Sequence, residues 1–308
     1  MRFPVALTAL ASLALLASGC SAFSDTPNDG KVRVAAAFYP LAYVADRVTE
    51  GTGAEVSLLT QPGKEPHDLE LTVKETAELA SADLVVYESG FQPAVDDAVA
   101  QNASGAKLDA TKVVDPVPLS HEHSDAHGAE PSGHDHGGLD PHFWQDPLRL
   151  AKLGDAMAER LGKVDPAHAP DYARNARGLR DDLTALDASY AAGLRDCARD
   201  TIVVSHDAFG YLEKYGLHVA SIVGLSPEAE PTAAVLGQLQ ELIRTEGITT
   251  VFSEPLEPAL GEGLAHDLGL TNGTLDPVEG LTSADSKDDY LTLMKANLKT
   301  IVAANGCR

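Results

Sequence analysis

Short apolar runs alternate with longer runs of helical spacing along most of the chain. Apolar runs of about four to eight residues are typical of strands, and apolar residues three or four positions apart are typical of helices. We predict strands over 31–38, 54–59, 83–87, 201–205, 218–223, 249–253 and 270–275. We predict helices over 41–51, 72–82, 146–166, 231–247, 256–269 and 288–305. Residues 116–141 show no regular spacing of apolar residues, and we predict a long loop there. Strands that alternate with helices imply βαβ units and mainly parallel sheets.

The longest helical run lies near the middle of the chain, over 166–197. Roughly 28 of its residues are helix-forming, and a helix of that length spans about 40 Å at about 1.5 Å per residue, which is long for a crossover within a small sheet. We therefore predict that it bridges two lobes, 31–165 and 198–308. The predicted fold class is α/β: two (β/α) lobes with mainly parallel sheets, joined by a long rigid helix.

The first residues, "MRFPVALTALASLALLASGC", have one basic residue, an apolar run and then small residues that end in Cys20. This is the plan of a secretory signal, and the apolar run is short for a membrane span. "LASGC" resembles a bacterial lipobox, in which the cysteine is lipidated. We predict a lipoprotein signal peptide over 1–19, lipidation at Cys20, and a flexible tether over 20–30. The alternative is a plain cleaved signal with an incidental cysteine.

Charge and cysteine content narrow the class of protein further. The formal net charge of −23 argues against a nucleic-acid partner, which would require a basic surface. Cys197 and Cys307 are the remaining cysteines of the exported chain. Outside the cytosol an isolated pair favours a disulfide over a metal site, and two free buried thiols are the alternative.

Four short segments each carry a potential metal ligand just past a predicted strand or in a stiff turn. They are "GKEPHDLEL" with His67, "LDPHFWQDP" with His142, "VVSHDAFGYLEKYG" with His206, and "GTLDPVEG" with Asp276. Ligands of open parallel sheets bind at the carboxyl ends of strands, so two facing lobes would bring these residues together in the cleft. Three imidazoles and one carboxylate suit tetrahedral Zn²⁺. A lone loop histidine is more often solvated, and the prediction depends on the four occurring together.

These segments resemble the metal-binding receptors of bacterial ABC importers for zinc and manganese, the cluster A-I or cluster 9 solute-binding proteins. The quoted "PHDLELT", "DPHFWQDP", "SHDAFGYLEKYGL" and "LDP" stand where that family has its motifs, and the zinc-specific, ZnuA-like branch is the most similar. The resemblance implies an exported, monomeric, non-enzymatic receptor that holds Zn²⁺ between its lobes. It would be lipid-anchored at the extracytoplasmic face of the membrane and would deliver zinc to an ABC permease.

Two features favour zinc over manganese in this resemblance. Manganese receptors commonly have a carboxylate at the position of His206, and imidazole favours zinc. Zinc receptors often carry a His-rich loop before the second ligand, and the segment 120–138 matches that feature. We predict an auxiliary low-affinity array there, with a solvated loop that binds metal incidentally as the alternative. Its members are His121, His123, His127, His134 and His136.

Three other functions remain open from the sequence. One is a manganese receptor of the same family. Another is a zinc-dependent hydrolase, which needs an open coordination position and a general base; no HExxH motif is present. A surface adhesin would bind no metal tightly. Among neighbouring residues, we predict that Glu254 and Asp207 orient imidazoles. Aromatic residues are predicted to pack around the cleft, namely Phe143, Trp144 and Phe209.

Overall fold

A computed structural model describes residues 30–119 and 138–308, and its compact unit is Val32–Arg308. The predicted signal peptide, Cys20 and the tether up to residue 29 lie outside the described residues. The same holds for the five histidines of the predicted auxiliary array, His121 to His136. No helix in the described ranges is long and apolar enough to cross a membrane.

The first lobe is built on a four-stranded parallel sheet in the order β2-β1-β3-β4. Its strands are β1 (Arg33–Ala36), β2 (Glu55–Leu58), β3 (Leu84–Tyr87) and β4 (Ala106–Asp109). Helices α1 (Tyr39–Thr49), α2 (Val73–Ser81) and α3 (Pro93–Asn102) connect them. A capping box starts α2, in which Thr72 and Glu75 bond each other's backbone N–H groups.

The second lobe repeats this architecture with a parallel sheet in the order β6-β5-β7-β8. Its strands are β5 (Thr201–Val204), β6 (His218–Ser221), β7 (Thr250–Ser253) and β8 (Thr271–Thr274). Helices α6 (Ala233–Glu246), α7 (Ala259–Leu268) and α8 (Tyr290–Asn305) accompany them. The two-lobed α/β class predicted from the alternating pattern is confirmed.

Two helices, α4 (Pro147–Val164) and α5 (Ala169–Gly193), follow the first sheet and precede the second along the chain. The predicted bridging helix corresponds to α5, preceded by a short 3-10 helix over Pro166–His168. Helix α5 packs against α1 and α4 and also against α8 of the second lobe. Its buried side chains, which include Tyr172 and Tyr190, join both lobes into one apolar core.

Burial distinguishes the central strands from the edge strands. All four residues of β5 are buried, because Ile202 and Val204 face the shared core and Val203 faces a second apolar cluster with α6. The edge strand β4, "AKLD", buries only Leu108. A strand with one buried residue has little apolar pattern, and for that reason β4 was not predicted from the sequence. Helix α3 was not predicted either.

The predicted disulfide between Cys197 and Cys307 is present in the structure. It joins the residues that follow α5 to the residue that follows the end of α8. The guanidinium of Arg199 donates to the carbonyl oxygen of Ala304 at 2.7 Å across the same junction. The end of the chain is thereby attached to the bridging helix by covalent and polar contacts.

Candidate metal site

Four buried side chains converge between the lobes, two from each. His67 lies between β2 and α2, and His142 immediately precedes the 3-10 helix Phe143–Gln145 that leads into α4. His206 follows β5, and Glu279 follows β8. His67, His206 and Glu279 therefore come from loops that follow parallel strands, the side on which open α/β sheets bind their ligands.

The potential ligand atoms of His67, His142, His206 and Glu279 all lie within 4.8 Å of one another. One carboxylate oxygen of Glu279, Oε1, is 3.2 Å from Nε2 of His142 and 3.1 Å from Nε2 of His206. The other, Oε2, is 3.6 Å from Nε2 of His67. Each residue is at most 2% exposed. A single ion could contact all three imidazoles and the carboxylate at once.

The cluster places one carboxylate, that of Glu279, among three imidazoles that can bind protons. Burial would raise the pKa of Glu279, but the neighbouring histidines outweigh it and hold that pKa well below its usual range. Burial would lower the pKa of His142, yet bonds to Asp140 and Glu279 raise it to about 9. The pKa of His206 is raised in the same way by Glu254 and Glu279, again against burial. A dication would supply the positive charge that protons otherwise provide.

Two of the imidazoles are held at the ring nitrogen that faces away from the cluster. Nδ1 of His142 lies 2.9 Å from Oδ1 of Asp140, and Nδ1 of His206 lies 2.8 Å from both oxygens of Glu254. A carboxylate can only accept, so each Nδ1 donates and the Nε2 lone pair is left for a metal. The prediction that Glu254 orients an imidazole matches this contact.

His67 is held by its backbone and by an aromatic ring. Its N–H donates to Oε1 of Glu65 at 3.0 Å, and its ring meets the edge of Phe91 at a centroid distance of 4.6 Å. Burial is the largest cause that lowers the pKa of His67. Burial also raises the pKa of Glu65, to about 8, and the charge of Glu279 adds to that effect.

The structure does not bring Asp276, the fourth predicted ligand, into this group. Its Oδ1 instead accepts the backbone N–H of Val278 at 2.7 Å, and Glu279 is the carboxylate at the cluster. The side chain of Asp276 thus caps its own turn, and the chain runs three residues further before a side chain joins the cluster. Glu279 stood in the quoted "LDPVEG", but no periodicity marks one carboxylate there over the other.

The sequence also predicted three aromatic packing residues around the cleft and an orienting role for Asp207. Phe143, Trp144 and Phe209 are fully buried, as packing residues should be, and Trp144 in addition bonds a backbone carbonyl of the second lobe. For Asp207 the structure shows a backbone bond to Gly224, at 2.9 Å, and its orienting role stays a prediction. Asp140, which bonds Nδ1 of His142, was not predicted from the sequence. The only signal for it there is a carboxylate two residues before a ligand histidine.

The donor set consists of three imidazole nitrogens and one carboxylate, all buried. Imidazole and carboxylate ligands in a four-coordinate arrangement are typical of Zn²⁺, and dedicated manganese sites are richer in oxygen. With four protein ligands, a tetrahedral sphere is complete without water.

Comparison with known proteins agrees with this geometry. A sequence model of the family described as ZnuA, zinc-uptake complex component A, periplasmic, matches residues 34–304. The zinc-binding lipoprotein AdcA of Streptococcus pneumoniae is 33% identical over 299 residues, which cover 93% of this chain and 59% of the relative. This chain thus spans about three fifths of that relative's length. The high-affinity zinc uptake system protein ZnuA of Bacillus subtilis is 29% identical, with 96% of this chain and 95% of the relative covered.

Solved structures show the same architecture. The Zn(II)-bound ZnuA-like domain of Streptococcus pneumoniae AdcA has 31% identity and a TM-score of 0.73, and 90% of this chain and 99% of that chain are covered. The laminin-binding protein Lbp of Streptococcus pyogenes has 26% identity and a TM-score of 0.74, with coverage of 90% and 100%. The family match extends from β1 into α8 and includes every residue of the cluster. The chain belongs to the ZnuA family of zinc-uptake components.

Proposed function

We propose that this protein is an extracytoplasmic receptor that binds Zn²⁺ with high affinity and delivers it to an ABC permease for import. The observation that carries the proposal is the convergence of His67, His142, His206 and Glu279, whose ligand atoms lie within 4.8 Å of one another in the buried cleft. Zinc is the cargo of this protein. The relatives named for zinc binding and zinc uptake support the same function.

The donor set also supports a receptor over a hydrolase. A catalytic zinc keeps a coordination position for water, and a general base stands beside it. Here four protein side chains complete a tetrahedral sphere, and the cluster is almost wholly removed from solvent. We therefore place the chain among binding proteins rather than enzymes, with manganese as the alternative cargo.

The proposal includes the segments outside the described residues and the domain limits predicted from the sequence. We propose export by the signal over 1–19, lipidation at Cys20, and attachment by the tether over 20–30. The lobes would extend over 31–165 and 198–308, and the protein would act as a monomer. Support comes from the signal-like sequence and from the lipoprotein name of the AdcA relative. The five histidines within 120–138 would provide weak auxiliary sites.

Metal content and competition titration test the proposal. Purified protein should contain one tightly bound zinc per chain, and a chromophoric chelator should show that Zn²⁺ is preferred to Mn²⁺. Changing His67 or Glu279 to Ala should remove tight binding, whereas His218→Ala, at an exposed histidine on β6, should leave it unchanged. Deletion of 121–136 should abolish only the weak sites. Absence of a tight phase in the unaltered protein, or a preference for Mn²⁺, would overturn the proposal.

A further inference from the structure

The turn over 276–279 carries the second lobe's carboxylate into the site, and its backbone is strained. Val278 has a φ of 60°, in the left-handed region that β-branched residues rarely adopt. The same side chain is fully buried in the shared core. Such a backbone conformation persists only where contacts with the surrounding residues hold it in place.

Contacts from the second lobe hold the beginning of this turn. Asn297, on α8, accepts the N–H of Asp276 at 2.9 Å and donates to the carbonyl oxygen of Asp276 at 2.6 Å. The carboxylate of Asp276 then accepts the N–H of Val278 at 2.7 Å. These bonds leave the carbonyl of Pro277, at the centre of the turn, to be satisfied from elsewhere.

That carbonyl is held by the first lobe. Nε1 of Trp144 donates to it at 2.8 Å and Nε2 of Gln145 at 2.5 Å. Both donors are fully buried and lie in the 3-10 helix that directly follows His142. The hydroxyl of Tyr290, on α8, donates to the backbone carbonyl of Trp144 at 2.5 Å and so fixes the donor segment in return.

We propose that Trp144 and Gln145 are positioning residues that act through the strained turn to place Glu279 against the three imidazoles. They hold the carbonyl of Pro277, two residues before Glu279, so the peptide that carries the carboxylate is oriented from the opposite lobe. The segment that supplies His142 thereby also sets the fourth ligand. This inference rests on the proposed zinc-binding function.

The geometry distinguishes positioning from simple packing. Trp144 also packs against the ring of His142, at a centroid distance of 5.3 Å, so truncating its ring would disturb two ligands at once. Trp144→Phe keeps an aromatic ring there and removes the N–H donor together with part of the indole's volume. Gln145→Met fills a similar volume and removes the other donor. Neither change alters a ligand atom.

A double-mutant cycle with Glu279→Gln tests the proposal. Zinc affinity of the full chain is measured by competition titration, and zinc release by mixing with excess chelator. With Glu279 present, Trp144→Phe combined with Gln145→Met should lower affinity by about 10–100-fold, the range for groups that orient metal ligands, and speed release. In the Glu279→Gln background the same pair should change affinity less than about 3-fold, because the residue through which they act has lost its charge.

Tyr190→Phe is the matched control, since it removes a buried hydroxyl bond that runs to the carbonyl of Met294, at 2.7 Å, and not to the turn. It should lower stability and leave zinc affinity unchanged. Equal losses in both Glu279 backgrounds, or no loss in either, would overturn the inference while the zinc-binding function stands. If Trp144→Phe does not fold, Gln145→Met decides the question alone. A lack of tight zinc binding in the unaltered protein removes the proposed function and this inference with it.

Discussion

Asp140 accepts two hydrogen bonds from His142, one from its backbone N–H and one from Nδ1, each at 2.9 Å. The residue is only 5% exposed, and its partner is fully buried. One carboxylate therefore fixes the backbone, the ring orientation and the tautomer of the same ligand. Glu254 repeats this arrangement at His206, whose N–H and Nδ1 lie 3.1 and 2.8 Å from its Oε1. Each lobe thus orients one imidazole by its own carboxylate.

Replacing Asp140 by Asn should weaken zinc binding by about 10–100-fold. The amide can rotate to present either a donor or an acceptor to Nδ1, so it no longer specifies the tautomer that leaves Nε2 free. Competition titration measures the effect. Asp165→Asn is the control, because Asp165 makes a similar contact, 2.7 Å, to the partly exposed His168 outside the site. Equal affinities for Asp140→Asn and the unaltered protein would remove this role.

Zinc affinity should also rise with pH beyond the range of a free imidazole. Although burial opposes it, the bonds to Asp140 and Glu279 raise the pKa of His142 to about 9, and zinc must displace that proton. The apparent affinity should therefore still be increasing near pH 9, whereas a free imidazole is mostly deprotonated above about pH 6.5. In Asp140→Asn the affinity should increase less steeply in this range, because one of the bonds that raise the pKa of His142 is altered. Titrations at several pH values decide this, and identical profiles would contradict it.

Glu88, just after β3, should make stability depend on pH. Burial, and next the charge of Asp140, raise its pKa well above the usual range. A raised carboxyl pKa means that the unfolded chain releases its proton first, so folding stability falls as pH rises from the unfolded value, about 4.3, toward the folded one. The loss is about 1.4 kcal/mol per pH unit over that window.

Glu88→Gln should abolish this dependence. The free energy of unfolding of the metal-free variant should match the unaltered protein near pH 4 and exceed it at pH 7. Denaturant unfolding at both pH values measures the difference. Asp97→Asn, at another acidic position in the same lobe, on α3, is the comparison. A Gln variant that is equally stable or less stable at pH 7 would show that Glu88 ionises in the folded state without penalty.

Several features of the fold and site were predictable because they follow local rules. Central strands such as "TIVV" are mostly apolar, since both faces of a covered parallel sheet are buried. His206 was conspicuous because it stands directly after such a strand. His142 stood out because two Asp-Pro steps flank an aromatic pair, which predicts a stiff turn.

What the sequence could not resolve depends on contacts far apart in the chain. Whether Asp276 or Glu279 enters the cleft is decided by Asn297, Trp144 and Gln145, through bonds to a four-residue turn. Edge strand β4 exists because β3 offers it a hydrogen-bonding partner, not because "AKLD" has a strand pattern. The spacing of apolar residues within a short segment gives no information about the bonds to the turn or about the pairing of β4 with β3.

Removing the disulfide by Cys197→Ser with Cys307→Ser should destabilise the fold without affecting the site. The two residues are 110 positions apart, and for a loop of about 100 residues chain-entropy models give roughly 4–5 kcal/mol. Native contacts across the junction, such as Arg199 to the carbonyl of Ala304 at 2.7 Å, remain available to hold the reduced fold. Denaturant unfolding should show the loss, and zinc titration should show unchanged affinity.

Thiol counting gives an independent check on the same bond. The denatured but unreduced soluble protein should show no reactive thiol from Cys197 or Cys307. Two reactive thiols, or a double variant as stable as the unaltered protein, would contradict the prediction.

His206 should decide the choice of metal, but a single exchange to Glu does not create a clean manganese site. Nδ1 of His206 donates toward both oxygens of Glu254 at 2.8 Å, and Nε2 lies 3.1 Å from Glu279. A carboxylate at this position would face two others in a buried space, with no proton to share. His206→Glu alone should therefore lose zinc affinity by more than about 100-fold and be less stable without metal, because buried like charges are unfavourable.

Combining His206→Glu with Glu254→Gln should restore a usable site with altered preference. The amide of the new glutamine can donate to the introduced carboxylate, as the imidazole now donates to Glu254. The donor set becomes two nitrogens and two carboxylates, which tolerates Mn²⁺ better. The ratio of zinc to manganese affinity should fall, and zinc binding should depend less steeply on pH, since one fewer imidazole must lose a proton. His218→Glu, on the exposed part of β6, should change neither quantity. Unchanged zinc affinity and pH slope in both His206 variants would place His206 outside the coordination sphere, and the assignment of the cluster would then have to be abandoned.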